Sequence, residues 1–79
     1  MNNQQKKLFN IACKIEKLLY EHCGIKNFNK EVNFFNLIIN TGKKELIWEF
    51  IEAFTDLTKK ENINFLIFTD DYLQIKIWS

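Results

Sequence analysis

The chain contains no proline and no arginine, only two glycines and two cysteines, and a single histidine. Its eleven basic residues are therefore all lysines, and ten acidic residues reduce the net charge to +1. Arginine is the residue best suited to bidentate contacts with guanine and phosphate, so its absence argues against specific recognition of DNA or RNA. The near balance of charges argues equally against a protein that imitates the polyanion of nucleic acid.

Long apolar runs are also missing from the chain. No stretch approaches the roughly 18 apolar residues that a membrane-spanning helix requires. Residues 2–7 are wholly polar, where a secretory signal would lead into its apolar segment. We therefore expect a cytoplasmic protein without a membrane partner.

The few residues able to carry catalysis or bind a metal are poorly placed for either task. His22 and Cys23 are neighbours in one predicted helix, where adjacent side chains point about 100° apart. Cys13 lies about 15 Å from Cys23 along the same helix. Asp70 and Asp71 are consecutive residues of a polar turn, where turn formation alone selects aspartate. We expect no catalytic residue, no metal site, no cofactor and no enzymatic activity.

Apolar and aromatic residues are what the chain has in abundance. Hydrophobic residues make up 47% of it, including eight Phe, two Trp and two Tyr, which is far above what disordered segments contain. Seventy-nine residues correspond to a single domain, 1–79. A domain this small buries a limited core, and a homodimer would be one way to gain stability.

The spacing of apolar residues predicts two amphipathic helices. The first covers residues 8–22 and ends at Gly24; its core face is Leu8, Ile11, Ala12, Ile15, Leu18 and Leu19. The second is predicted over 44–60, because the helical period persists to Leu57. The alternative for this segment is a hairpin closed by residues 40–43, followed by a strand over 45–51. In the helical interpretation Trp48 points away from the core face.

Three strands complete the predicted fold. Residues 32–39 are rich in branched and aromatic side chains, and a C-terminal hairpin joins 63–68 to 72–78. The order α-β-α-β-β predicts an α+β domain with two helices and a three-stranded, mainly antiparallel sheet. If Asp70 and Asp71 form a two-residue loop, Ile75 opposes Leu66 in the hairpin. The other face of the hairpin then carries Ile63, Phe65, Ile67, Tyr72 and Trp78.

This second hairpin face is open if both helices lie on one side of the sheet. It is covered if the helices lie on opposite sides, or if the connector 24–31 folds over it; the pattern is compatible with each arrangement. Exposed aromatic clusters are typical of the centres of protein interfaces. We therefore predict binding to a partner protein, or a homodimer joined through this face. The candidate contact residues are Trp48, Tyr72, Trp78, Phe65, Ile67, Phe9 and Tyr20.

A second hypothesis is a small nucleic-acid-binding or transcriptional accessory protein that uses surface lysines. Lys43 and Lys44 stand near the start of the second predicted helix, where cations oppose the helix dipole, so contact with phosphate or with an acidic partner would stabilise them. The other candidates are Lys59, Lys60 and Lys76. The affinity of such a protein would fall steeply with salt.

The segment Leu46-Ile-Trp-Glu-Phe-Ile-Glu-Ala-Phe54 is similar to a helix in a known family of Cas9 inhibitors. The small size, the bias towards Asn, Lys, Ile and Phe expected of A+T-rich codons, and the lack of catalytic residues also resemble anti-CRISPR proteins of phages and mobile elements. That family uses clustered acidic residues, whereas this chain is slightly basic, so no functional residue carries over. The resemblance implies a stoichiometric inhibitor that occupies a surface of a host-defence nuclease or surveillance complex.

Overall fold

The computed structural model describes residues 1–42 and 45–79 and consists of two helices packed on a four-stranded antiparallel sheet. The elements in chain order are α1 (Asn3–Cys23), β1 (Phe28–Val32), β2 (Leu37–Thr41), α2 (Trp48–Glu61), β3 (Asn64–Phe68) and β4 (Leu73–Trp78). The strand order is β1-β2-β4-β3, so two hairpins meet through the central strands β2 and β4. Neither described helix combines the length and apolarity needed to cross a membrane.

Capping interactions define both ends of α1. At its start, the Asn2 side chain accepts a hydrogen bond from the Gln5 backbone N–H at 2.8 Å, and the Gln5 side chain accepts one from the Asn2 N–H at 2.9 Å. At its end, Gly24 adopts a left-handed conformation with φ 68°, which glycine reaches without steric cost. The predicted end is confirmed, and the helix starts earlier than predicted because polar caps, which carry no apolar period, extend it.

The helical interpretation of the second amphipathic segment is confirmed by α2. Phe50 and Phe54 are fully buried within it. The predicted start is wrong, because the helix begins at Trp48; residues 45–47 precede it and Ile47 is half exposed. Asn62 ends the helix in a left-handed conformation. The predicted first residue, Lys44, lies outside the described part of the chain.

The prediction of one strand over 32–39 is wrong, because the chain reverses within this segment. The Asn33 N–H donates to the Asn36 carbonyl at 2.9 Å, and the two side chains are joined by a second hydrogen bond of 2.8 Å. The reversal pairs β1 with β2, so residues 28–32, predicted as mostly connector, form a strand. The observed order is therefore α-β-β-α-β-β with four strands, where the sequence predicted α-β-α-β-β with three.

The C-terminal hairpin is confirmed, but its predicted register is wrong by one residue. Ile67 opposes Ile75, where the prediction placed Leu66, and the loop comprises residues 69–72 instead of two aspartates. Because side chains alternate along a strand, a shift of one residue exchanges the two faces of β3. Phe65 and Ile67 consequently point towards the helices and Leu66 points away from them.

Both helices pack on the same face of the sheet and share one core with it. The buried residues of the helices are Leu8, Ile11, Ala12, Ile15, Leu19, Phe50 and Phe54, and those of the central strands are Leu37, Ile39, Leu73, Ile75 and Ile77. Phe54 joins the layers, with its ring centroid 5.5 Å from that of Phe50 and 4.7 Å from that of Phe65. The connector 24–31 does not cover the opposite face either, since it supplies β1 within the sheet.

Two ion pairs fix the position of α1 relative to its neighbours. Lys30 of β1 lies 3.0 Å from Glu16, and both side chains are largely buried. Lys14 lies 3.2 Å from Glu61 at the end of α2, in a more exposed position. The less exposed Lys30–Glu16 pair is screened less by water, so it contributes more to holding β1 against α1.

Candidate functional site

The sheet face turned away from both helices, here called the open face, is covered by no described element. It receives alternate side chains from all four strands. The register places on it Asn29 and Glu31 from β1, Ile38 and Asn40 from β2, Asn64, Leu66 and Phe68 from β3, and Gln74, Lys76 and Trp78 from β4. The alternation is clearest in β4, whose odd-numbered residues are fully buried beneath the helices.

One end of the open face forms a shallow pocket of about 280 Å³, here called the aromatic pocket. It is lined by Phe35, Asn36, Leu66, Lys76 and Trp78. Phe35 is 67% exposed and Leu66 is 48% exposed, so large apolar areas meet water here. The ring of Phe34 packs edge-on against Phe35 with 4.6 Å between centroids and is itself exposed. The turn between β1 and β2 therefore presents two aromatic rings at the rim of the pocket.

Lys76 is the only cationic residue among the open-face side chains. It stands between Ile38 on β2 and Leu66 on β3 in the paired strands. A lysine in such a position lays its aliphatic stem along apolar neighbours and keeps the ammonium group in water. Around Lys76 the open face is thus apolar, whereas Glu31 adds a negative charge on β1, opposite Ile38.

The other end of the open face is polar, and its side chains form a hydrogen bond with each other. The Gln74 side-chain amide donates to the Asn40 side-chain oxygen at 2.8 Å across the central strands. Phe68 lies beside this pair at the edge of the sheet and is exposed. Apolar exposure is therefore concentrated at the aromatic pocket and along β3.

No known protein family matches this chain. No curated protein matches it either. The geometry and chemistry of the open face define the candidate site.

The structure separates the aromatic residues that the sequence proposed as partner contacts. Trp78 lines the aromatic pocket, half-buried. Trp48 is 70% exposed at the start of α2, on the helical side of the sheet. Tyr72 is exposed in the β3–β4 loop, and Tyr20 is exposed on α1, with the Lys26 ammonium 5.9 Å from its ring centroid. These four residues do not form one surface.

Phe9, Phe65 and Ile67, also proposed as contacts, lie on the helical side of the sheet. Phe9 is half-buried, and the Lys30 ammonium stands 4.7 Å from its ring centroid in a cation–π arrangement. Phe65 contacts Phe54, and Ile67 packs against the core. The predicted surface of Phe65, Ile67 and Trp78 is wrong, because the register of the hairpin puts the first two on the opposite face from the third.

The candidate lysines are distributed over different parts of the fold. Lys59 and Lys60 lie in the last turn of α2, where cations stabilise the negative end of the helix dipole. Lys76 lies on the open face, across the sheet from α2. Lys43 and Lys44 lie outside the described residues. The three described lysines therefore do not share one basic surface.

The exposed Phe34, Phe35, Leu66 and Phe68 were not proposed from the sequence as contacts. The two phenylalanines of the turn were assigned to a strand, although the flanking Asn33 and Asn36 are residues that favour turns. A two-residue loop places Leu66 and Phe68 on the same hairpin face as Ile75, whereas the observed loop 69–72 places them on the opposite face.

Side chains with catalytic or metal-binding chemistry are scattered in this fold. Within residues 1–42 and 45–79, no three His, Cys, Asp or Glu side chains are grouped so that they could hold a metal ion. Cys13 is exposed and Cys23 is half-buried, and both are free thiols. The open face is therefore the candidate site with the most distinctive chemistry.

Proposed function

We propose that this protein is a non-enzymatic inhibitor or adaptor that binds another protein through the aromatic pocket of the open face. The observation that supports it is the contiguity of Phe35, Leu66 and Trp78 around Lys76 on a face that no described element covers. Monomeric proteins rarely leave aromatic and aliphatic side chains clustered in water unless the cluster meets a partner.

The chemistry of the pocket favours a protein partner over a small molecule. The pocket is shallow, whereas sites for small ligands are usually deep enough to enclose most of the ligand. Tryptophan and other aromatic residues that fill a desolvated centre supply most of the energy of protein interfaces. A partner with an apolar protrusion would cover Phe35 and Leu66, and a carboxylate on it would pair with Lys76.

We further propose, from the resemblance to anti-CRISPR proteins, that the partner is a host-defence nuclease or surveillance complex. In this proposal the chain occupies a functional surface of the complex stoichiometrically. Cleavage by a purified CRISPR nuclease, measured with and without an equimolar amount of the chain, tests this narrower proposal. Unchanged cleavage by a panel of such nucleases would contradict it while leaving partner binding at the open face intact.

Replacing Phe35 with alanine is expected to weaken partner binding strongly and to leave the fold stable. An exposed aromatic side chain at the centre of an interface contributes about 2 kcal/mol or more, which corresponds to a loss of affinity of roughly thirtyfold. Affinity capture from the native cell would identify the partner, and titration by calorimetry would measure the dissociation constant. Trp78→Ala should act in the same direction, with some loss of stability because this ring is half-buried.

Tyr20→Ala is the matched control, since Tyr20 is an exposed aromatic on α1, away from the open face. Equal partner binding by the Phe35 and Tyr20 variants would contradict the proposed site. Binding of duplex or single-stranded nucleic acid at low salt, weakened by Lys76→Ala and lost as salt rises, would instead favour the nucleic-acid-binding alternative.

A further inference from the structure

The two edge strands of the sheet differ sharply in their chemistry. The edge strand β1 carries Lys30 and Glu31, and Lys30 is held by its ion pair with Glu16. The other edge strand, β3, reads Asn-Phe-Leu-Ile-Phe, with no charge, proline or glycine. Charged side chains and proline are the usual protection of an edge against pairing with another strand, and β3 has neither.

The outer edge of β3 is a template for a further strand. Its inner edge pairs with β4 in a continuous register from Asn64 to Phe68 without a bulge. In such a strand, every second residue directs its backbone N–H and C=O away from the paired strand, here β4. Among the described residues no other strand takes up these groups, since β3 is last in the sheet order.

Helix α2, which lies beside this edge, carries the exposed Trp48. The side of α2 that carries Ala53 and Leu57 faces α1, because both residues line a pocket with α1 side chains. At 100° per residue, Trp48 and Ile51 lie on the opposite flank of α2. This flank overlooks the β3 edge, since α1 packs over β1 and β2 whereas Phe54 of α2 contacts β3.

We propose that β3 pairs antiparallel with β3 of a second copy of this chain, giving a homodimer with one continuous eight-stranded sheet. Antiparallel pairing of two identical strands is self-complementary about a two-fold axis. If the two-fold axis passes through Leu66, the central residue, all five residues of β3 are paired. Leu66 then lies opposite Leu66 of the second copy on the open face. The same pairing sets Phe65 against the second copy's Ile67 on the helical side, an aromatic and β-branched pair of the kind that stabilises sheets.

The charges at the two ends of β3 favour a second copy as the occupant of this edge. Lys59 and Lys60 precede the strand at the end of α2, where the neighbouring Glu61 is paired with Lys14 of α1. Asp70 and Asp71 follow the strand in the β3–β4 loop. Antiparallel pairing brings the positive end of one copy beside the negative end of the other. The two-fold axis repeats this attraction, so opposite charges meet at both ends of the shared strands.

The helices add contact area to what a five-residue strand supplies. In the dimer, the α2 helix of each copy lies over its own β3 and β4. The two α2 helices are therefore separated by two strand spacings of about 4.8 Å, or about 10 Å. This is a normal distance for packed helices. Trp48 and Ile51 of one copy then meet the same flank of the other, which accounts for an otherwise exposed tryptophan. A specific interface needs about 800 Å² from each partner, more than a short strand provides alone.

Sedimentation velocity at high micromolar concentration is expected to show a dimer of the intact chain and a monomer of two variants. Leu66→Lys places like charges against each other at the axis, and the repulsion from Lys76, which lies opposite it within each chain, costs the single chain about 0.2–1 kcal/mol. Trp48→Glu places a charge on the α2 flank. Each should raise the dimer dissociation constant roughly thirtyfold or more. Both residues are well exposed in the single chain, so the far-ultraviolet spectrum of each variant should keep the native shape.

Hydrogen exchange gives an independent test of the edge itself. Backbone amides of β3 that point away from β4 should become more protected as protein concentration rises, whereas the outer amides of β1 should not. A monomeric wild-type chain at high micromolar concentration would overturn the proposal. A dimer that persists in both variants would overturn it as well.

Leu66 belongs to both the dimer axis and the aromatic pocket, so the two proposals are distinguished by Trp48, on the helical side of the sheet, and Phe35, on the open side. Phe35→Ala should remain a dimer while losing its partner, and Trp48→Glu should bind the partner as a monomer. A dimer lost in Phe35→Ala but kept in Trp48→Glu would show association through the open face and would contradict the proposed β3 pairing.

Discussion

Replacing Phe54 with alanine is expected to lower the free energy of unfolding by about 3–5 kcal/mol. The ring is 1% exposed and touches the rings of Phe50 and Phe65, so it connects α2 to the sheet. Its removal leaves a cavity between layers that are held apart by their remaining side chains. At about 0.05–0.15 kcal/mol per residue, a 79-residue domain has roughly 4–12 kcal/mol in total, so this loss approaches the limit of folding.

Chemical denaturation monitored by tryptophan fluorescence measures this change. In a domain of this size 1 kcal/mol corresponds to about 4–8 °C, so the melting temperature should fall by at least ~12 °C. Phe35→Ala is the matched control, because the same side chain is removed from an exposed position, and its effect should stay within about 0.5 kcal/mol. Similar losses in the two variants would mean that Phe35 is part of the core.

Replacing Ile39 with aspartate is expected to prevent folding, whereas the same change at the adjacent Ile38 is expected to be tolerated. Ile39 is fully buried beneath the helices, and burial of an unpaired carboxylate costs several kcal/mol. Ile38 points to the open face and lies opposite Lys76. An aspartate there lies on the open face, where its attraction to Lys76 offsets its repulsion from Glu31, the opposite residue on β1, so the stability should change by less than about 1 kcal/mol.

The two isoleucines form an internally controlled pair, since residue type, strand and substitution are identical and only the face differs. Circular dichroism in the far ultraviolet reports whether each variant folds, and its melting curve gives the stability. Loss of folding in both variants would show that a further layer covers the open face. Folding of Ile39→Asp would show that the register of β2 differs from the one described.

The helices could be predicted because their signals are local. The 3.6-residue period of Leu8, Ile11 and Ile15 and the stop at Gly24 are properties of neighbouring residues, and α1 follows them closely. The same holds for α2, whose period decided between helix and strand. The helix starts were predicted less well. The polar first turn of α1 depends on the side-chain hydrogen bonds between Asn2 and Gln5, and residues 45–47, predicted as helix, precede α2.

The strands were harder to predict because their identity depends on pairing with distant residues. Nothing in the local pattern of Phe28–Val32 distinguishes a strand from a polar connector, since it includes Asn29, Lys30 and Glu31. It becomes a strand because β2 offers it hydrogen-bonding partners and α1 offers Lys30 a carboxylate. Both contributions come from residues that the local sequence does not contain.

The aromatic pocket shows the same division between local and distant information. The sequence indicated an excess of aromatic residues and proposed that some of them contact a partner. Their placement depended on the β3–β4 register, and an error of one residue exchanged the faces assigned to Phe65 and Leu66. Trp78 reached the open face as proposed, but its neighbours there, Phe35 and Leu66, were not foreseen.

The sequence by itself determined an α+β fold with two amphipathic helices and a C-terminal hairpin, because helical period, alternation and turn residues are read over a few neighbouring positions. Only the tertiary structure decided that both helices cover the same side of the sheet. It also decided which residues of β3 face the core and that β3, unlike the charged β1, is left as an apolar edge. These features depend on contacts between residues that are distant in the sequence. Such contacts form only when the chain folds, so no local pattern specifies them.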